Sequence, residues 1–582
     1  MSTPALTLEV SRRDKGHNHE EFTIFDATFT NLHQMKNIQY SLLLISLVIM
    51  SCSPKKQDLK GDESDQAILG ELQHNFTLNQ VTQEKFEEGL LLLHNFEYED
   101  ALTAFEQATA LDSTEVLTHW GEAMCHYKAL WRLQNTVKGK AILSRLGSDK
   151  EERIASIEDP MEKVMWEIVE IMYGEGQFDE RNELIKDHLA SLHEQFPQHQ
   201  EIAAFYALSL IWATEEYGDG SDDLRLAASI TDKILEANPL HPGALHYKIH
   251  ALDGPTSAKD AHAAADAYAK VAADAAHALH MPSHIYLALG EWDGVVNSNQ
   301  ESYKASVSRM KNMELKDGAR GYHSFAWLHY GLLQQGRYAE AEQILNDMLT
   351  YVPKDPTKGA RGYLLGMQNR QMVESGSISE DTKLNLDVEV NDIGLMAKSM
   401  RSFLRAQMAF RNEDTQAMDD EIKWLSAQIL IASEQVEGDG IAMCAAGTSR
   451  YAPTENAVNS AGVVIAQIKG MKALIEGDES KFEEYMKEAV TLEDQTNYPA
   501  GPPRITRPSF EQYGDWLLEK GNYNEAIVQF DKALLRMPRR SKSLIGKLTA
   551  LKALDKQDEA EDIRNELKAI LAQADEKAIT SI

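Results

Sequence analysis

Histidines cluster in the middle of the sequence. Seven of the 19 histidines lie between positions 241 and 284, where an even spread would place about 1.4. They are His241, His246, His250, His262, His277, His280 and His284. The pairs His246/His250 and His280/His284 have i,i+4 spacing, which on a helix puts both rings on one face with Cβ atoms about 5–6 Å apart. Such pairs can share a metal, a proton or a ligand.

The donor types favour a divalent transition metal. Neutral imidazoles with a nearby carboxylate suit Zn, Cu, Ni or Fe. The predicted metal ligands are His246, His250, His280 and His284. Neither HYKIH nor HMPSH contains the Glu of HExxH, and Pro282 interrupts a helix, which disfavours protease chemistry. The alternative is a network in which the histidines hydrogen-bond to one another and fill the core.

Repeating helical hairpins would position these histidines. From Gln83 onward, small, aromatic and proline residues recur with a period of about 34 residues. The fullest copy has Gly514, Leu517, Gly521, Tyr523, Ala526, Phe530, Ala533 and Pro538. The pattern resembles the tetratricopeptide repeat (TPR), in which each repeat is a helix hairpin. It predicts an all-α fold, a right-handed α-solenoid of TPR-like helix hairpins.

Three longer motifs resemble a family of large bacterial TPR proteins, many of which look secreted or lipid-anchored. They are HPGALHYKIHALDGP, HALHMPSHIYLALGEWD and YPAGPPRITRPSFEQYGDWLLEKGNYNEAIVQFDKALLRMPRRS. The resemblance covers most of the chain from about residue 83 onward. It implies the repeat architecture and no catalytic residues.

The same resemblance implies which residues face the concave groove. In TPR proteins, positions 2, 5, 9, 12 and 13 of each repeat line that groove. Counting places eight candidate groove residues on three successive first helices: His246, His250, Asp253, His277, His280, His284, His323 and Tyr330. Because neighbouring first helices stack about 8–10 Å apart, these side chains are expected to meet across the groove.

The N-terminal sequence indicates export. Met35 begins a basic stretch, an apolar run follows from Ser41 to Met50, and Ser51-Cys52 comes next. The ending Ile-Met-Ser-Cys resembles a bacterial lipobox, which predicts lipidation of Cys52 and a membrane anchor in the cell envelope, at the outer membrane or the periplasmic face. The alternative is an ordinary signal peptide in which Cys52 is incidental.

The sequence divides into seven predicted segments, and translation starts at Met1 or Met35. They are a non-native extension (1–34), a lipoprotein signal peptide (35–51), a flexible tether (52–82), an N-terminal TPR-like region (83–198), a His-rich central TPR region (199–360), a region of degenerate repeats (361–496), and a C-terminal repeat with terminal helices (497–582).

The net charge of the chain favours some classes of binding partner over others. With 58 basic and 91 acidic residues, the formal net charge is −33, which repels nucleic-acid backbones and suits basic partners or cations. The sequence contains no P-loop, G-x-S-x-G or dinucleotide fingerprint. The leading prediction is an extracytoplasmic, lipid-anchored scaffold that binds a protein, a peptide or a small ligand, and an enzyme is disfavoured. The alternative is a metal-binding protein or metalloenzyme with the histidines as ligands.

Overall fold

The fold is a succession of α-helices that pack pairwise along the chain. The computed structural model describes residues 67–74, 76–214, 221–377, 388–434, 436 and 453–579. Residues from Ala67 to Ile582 form one compact unit. The predicted all-α solenoid of helix hairpins is therefore confirmed.

Nine helices lie in the described residues between 67 and 237. They are α1 (Gln80–His94), α2 (Tyr98–Leu111), α3 (Val116–Cys125), α4 (Thr136–Leu143), α5 (Lys150–Ser156), α6 (Pro160–Met172), α7 (Phe178–Gln195), α8 (Gln200–Ala213) and α9 (Asp222–Ala237). A short antiparallel ribbon that the sequence pattern did not indicate joins α3 to α4, with β1 (Tyr127–Lys128) paired to β2 (Leu133–Gln134). Arg132, with φ of 50°, makes the reversal between these strands.

The central region contains seven helices. They are α10 (Pro242–Ala251), α11 (Ala258–Val271), α12 (Ala276–His280), α13 (Pro282–Leu289), α14 (Trp292–Asn312), α15 (Tyr322–Gln334) and α16 (Tyr338–Tyr351). Only Met281 separates α12 from α13, because Pro282 has no N–H to continue the helical hydrogen bonds. Met281 keeps helical angles, with φ of −54° and ψ of −38°. The interruption therefore leaves His280 and His284 close together.

Ten further helices follow in the described residues beyond Tyr351. They are α17 (Lys358–Ser375), α18 (Leu395–Arg411), α19 (Thr415–Ser433), α20 (Glu455–Ile475), α21 (Glu479–Asp494), α22 (Ser509–Glu519), α23 (Tyr523–Arg536), α24 (Ser541–Ala553), α25 (Gln557–Ile570) and α26 (Glu576–Ile579). Short 3-10 turns lie at Ala129–Trp131, Asp317–Ala319 and Val352–Lys354. Among the described residues, we find no helix with the length and apolar character needed to cross a membrane.

Aromatic side chains fill the space between paired helices, as TPR packing requires. Phe530 of α23 lies between α22 and α24, and a Cβ added to Gly514 or Gly546 would approach its ring to 2.9 Å or 2.3 Å. Phe105 makes the same close approach to Gly121, at 2.4 Å. Glycine is therefore needed where a fully buried ring packs directly on a neighbouring backbone.

Replacing the tightest of these glycines should destabilise the protein. Gly546→Ala gains helix propensity but overpacks Phe530, and overpacking costs about 1–3 kcal/mol. Gly359→Ala in α17 is the matched control, since nothing lies within 4 Å of its added Cβ. We expect the thermal unfolding midpoint, followed by circular dichroism, to fall for Gly546→Ala and to stay level or rise for Gly359→Ala. Equal shifts for the two variants would contradict this packing.

The segment before α1 contacts the central helices. The Ile68 N–H donates to Asp274 Oδ2 (2.7 Å), and the Glu71 N–H donates to the Leu240 carbonyl (3.0 Å). Leu69 is buried against the central helices. The flexible tether over 52–82 stays a prediction, and its described C-terminal part makes these contacts. Cys52 and the signal peptide lie outside the described residues, so lipidation stays a prediction.

Both ends of the described chain pack on the central helices. A Cβ on Gly243 of α10 would lie 2.4 Å from His94 of α1. From the other end, the Ser541 N–H donates to Gln334 Oε1 (3.1 Å), and a Cβ on Gly501 would lie 2.5 Å from Trp327. These contacts bring both ends of the described chain onto the central first helices, which carry the predicted groove residues.

Candidate metal centre

Six histidines form two adjacent triads in the central region. Triad A is His246, His250 and His277, and triad B is His280, His284 and His323. Within each triad, one nitrogen from every ring lies within 4.8 Å of the other two. In triad A, the Nε2 of His246 lies 3.1 Å from the Nε2 of both partners. In triad B, the Nε2 of His280 lies 3.2 Å from that of His284 and 2.9 Å from that of His323.

The repeat generates the two triads in the same way. Each triad takes an i,i+4 pair from one first helix and a third histidine from the start of the next first helix. For triad A these helices are α10 and α12; for triad B they are α12–α13 and α15. The sequence analysis instead grouped the two pairs as one ligand set and counted His277 and His323 only as groove residues. The register already contained the correct grouping, since both fall at repeat position 2.

Hydrogen bonds at Nδ1 orient three of the rings. The Nδ1–H of His246 donates to the His94 carbonyl (2.8 Å). The Nδ1–H of His284 donates to Asp253 Oδ2 (2.7 Å). The Nδ1–H of His280 donates to Asn299 Oδ1 (2.7 Å), and that amide is fixed by its own N–H bond to the Val295 carbonyl. Since these oxygens only accept, each neutral ring keeps its lone pair on Nε2.

Burial keeps these rings uncharged. Desolvation, followed by repulsion from neighbouring imidazoles, lowers the pKa of His246, His250 and His280 well below 6.5. At neutral pH the rings therefore present lone pairs, the form that ligates metals.

The nitrogen spacing matches a metal's coordination sphere. Two imidazole nitrogens at about 2.0–2.1 Å from one tetrahedral ion would lie about 3.3 Å apart. The four Nε2 pairs described above are separated by 2.9–3.2 Å. In each triad, two of the three nitrogen pairs are therefore separated by about the distance that a shared ion would require, and the third pair lies within 4.8 Å.

Aromatic rings cover both triads. Phe96 packs on triad A, with ring centroids 4.3 Å from His246 and 5.6 Å from His277. Trp327 packs on triad B, 4.8 Å from His280 and 4.6 Å from His284. This apolar shell restricts water and fixes ring orientation, as the surroundings of metal sites do.

Two other predicted groove residues have different positions. Asp253 is buried and bonds to the Nδ1 of His284, so it orients a ligand from behind. Tyr330 lies apart from the triads, with its hydroxyl 3.2 Å from Arg540 and its ring on Trp292. The register placed Tyr330 on the correct helix but did not reveal this partner.

A third cluster lies behind triad A. It consists of His94, Glu201 and His241, and the carbonyl of His94 accepts the Nδ1–H of His246. Glu201 lies 2.7 Å from the Nε2 of His94 and 3.4 Å from that of His241. Burial alone would raise the pKa of Glu201, but the neighbouring imidazoles of His94 and His241 outweigh it and lower the pKa. The sequence analysis missed this cluster because its members come from three distant helices or helix ends.

Comparisons with known proteins give architecture only. Neither a scan of protein-family models nor a search of curated proteins finds a match. Solved structures with similar folds include a monomeric mutant of IFIT1 with Gppp-AAAA (12% identity, 78% of this chain and 90% of that chain, TM-score 0.34). Others are the human IFIT1 dimer with m7Gppp-AAAA (13%, 87% and 92%, TM-score 0.30) and yeast Tom70 (12%, 86% and 96%, TM-score 0.28). At these TM-scores the matches carry no argument about the function of this chain.

Proposed function

We propose that this helical-repeat protein binds transition-metal ions, one in each histidine triad. The observation that carries the proposal is the pair His280 and His284. Both rings use Nδ1 as a donor, so their neutral Nε2 atoms are two acceptors facing each other at 3.2 Å. Two acceptors cannot form a hydrogen bond, and a cation between them converts the repulsion into coordination.

A histidine network without metal leaves polar atoms of triad A unpaired. In triad A, two rings converge on the single Nε2 lone pair of His246. The Nδ1 of His250 is buried and has no hydrogen-bond partner in the described part of the chain. Buried polar atoms are normally paired. A metal-free network would leave one ring without access to the His246 lone pair and the Nδ1 of His250 without a partner, so it is the weaker explanation.

The ligand set defines the chemistry that an ion could supply. Three imidazoles per ion leave coordination positions open for an outside molecule, as in catalytic rather than structural sites. Asp253 and the His94 carbonyl, which hold the Nδ1 protons, would raise the basicity of the ligating nitrogens. This chain's residues would therefore bind, orient and shield the ion.

Metal analysis of the full chain, purified without a histidine tag, tests the proposal. We expect stoichiometric metal in the native protein and loss of most of it in His250→Ala/His284→Ala. Asp253→Asn should lower metal affinity about 10–100-fold, since it removes only the orienting carboxylate. His262→Ala is the control, because His262 lies in the same stretch but pairs with Glu291 (3.0 Å). Metal-free native protein whose stability is unchanged in chelator would contradict the proposal.

A protein or peptide partner is the second candidate, together with anchoring in the cell envelope through Cys52. The supporting observation is the formal net charge of −33, which favours a basic partner. Co-purification from an envelope fraction should then weaken steeply as salt is raised. A partner retained at high salt would argue against this electrostatic basis.

A further inference from the structure

We propose that the two triads form one dinuclear copper centre, in which a small oxygen-donor ligand such as hydroxide bridges the two ions. The inference rests on the proposed function and adds the metal, the pairing of the ions and the class of external ligand.

The triads touch each other. The rings of His250 and His284 have centroids 6.1 Å apart, and those of His277 and His280 are 6.2 Å apart. Within the triads, the rings whose Nε2 atoms approach each other to 2.9–3.2 Å have centroids 4.4–5.1 Å apart. Two of the three rings of each triad therefore contact the other triad. Ions held by such neighbouring sets are close enough to share a ligand, as in known two-metal sites.

The donor set favours copper. All six ligating atoms are imidazole nitrogens, with no carboxylate or thiolate among them. Among divalent first-row ions, nitrogen sites bind Cu²⁺ most tightly. Hard ions such as Mg²⁺ and Ca²⁺ require oxygen ligands, which these triads do not provide.

The surroundings indicate that the remaining ligand comes from outside the protein. The rings that pack on the triads include Phe96, Trp131 and Trp327. The tyrosines beside them direct their hydroxyls to other partners: Tyr268 to Asn95, Tyr247 to the Nδ1 of His94, and Tyr363 to the Nδ1 of His323. The nearest carboxylate described for the triads, Asp253, is engaged by the Nδ1 side of His284. A small oxygen donor can occupy the open positions of both ions at once, and sharing it lowers their mutual repulsion.

Copper loading with spin counting tests the pairing. We would load the full chain with Cu²⁺, measure bound copper by elemental analysis, and count unpaired electrons by electron paramagnetic resonance. The expected result is two copper ions per chain with far fewer unpaired spins than ions, because an oxygen bridge couples the two spins. His250→Gln should instead bind one copper per chain with its full spin signal, and His262→Ala should match the native protein.

The outcomes separate this inference from the proposed function. Two copper ions with two full, uncoupled spin signals would overturn the pairing and leave two independent metal sites. One copper per native chain would also overturn it. Failure to bind any transition metal would overturn the proposed function itself. His323→Gln, at a partly exposed ring, repeats the single-triad experiment in case a buried variant fails to fold, which circular dichroism would reveal.

Discussion

Removal of bound metal by a chelator is expected to lower the free energy of unfolding of the native protein. The expected loss is about 4 kcal/mol for each ion whose concentration had been about 1,000 times its dissociation constant. The reason is linkage: an ion that binds the folded triads but not the unfolded chain stabilises the fold. Repulsion between two ligating nitrogens is a second cause of the expected loss of stability. Without an ion, the facing Nε2 atoms of His280 and His284 lose the cation that offsets their repulsion.

The shift in thermal unfolding midpoint, with and without chelator, measures this effect. Both triads lie in the central helices, on which the two ends of the described chain pack. Loss of metal should therefore lower the main transition and not only loosen a local segment. His250→Ala/His284→Ala provides the control, since its midpoint should be insensitive to chelator. An equal response in native and variant protein would show that the chelator acts elsewhere.

Repeat register explains why much of the site could be predicted. The period of small and aromatic residues fixes which helix of each hairpin comes first, and counting along it places histidines on successive first helices. His277 and His323, which complete the triads, both fall at position 2. The all-α fold follows from the same pattern, because each hairpin buries its apolar face only against its neighbours.

Contacts between distant repeats could not be predicted in this way. The register gives positions within a repeat, but the curvature of the solenoid decides which distant helices meet. Glu201 meets His94 across more than three helices, and Phe96 covers triad A from the N-terminal hairpin. The partner of Tyr330 could not be predicted from the register either, since Arg540 is 210 positions away. Such pairings depend on small rotations summed over many repeats, which local sequence does not encode.

Arg540 is the clearest of these long-range contacts. Its side chain is 0% exposed and precedes α24 in the C-terminal repeat. The guanidinium bonds to Glu511 through Nε (2.8 Å) and Nη2 (3.1 Å), and its Nη1 lies 2.6 Å from Glu374 of α17. The same Nη1 donates to the hydroxyl of Tyr330 on α15. One buried cation therefore ties the C-terminal repeat to α15, which also carries His323 and Trp327.

Arg540→Leu is expected to destabilise the protein by about 3–5 kcal/mol, because it leaves two carboxylates buried without their cation. Arg539→Leu is the matched control. Arg539 is 34% exposed and pairs with the partly exposed Glu566, so its loss should cost no more than about 1 kcal/mol. Denaturant or thermal unfolding of both variants measures the difference. Similar losses for the two would contradict the buried role assigned to Arg540.

Neutralising the carboxylates should distinguish lost charge pairing from lost packing. Adding Glu374→Gln and Glu511→Gln to Arg540→Leu removes the two unpaired charges and should recover part of the stability. If packing of the guanidinium were the main contribution, the triple variant would be no more stable than Arg540→Leu alone.

The metal content of the same variants tests whether the Arg540 contacts support triad B. Because α15 holds one ligand of triad B, loosening its contact with Arg540 should weaken triad B before triad A.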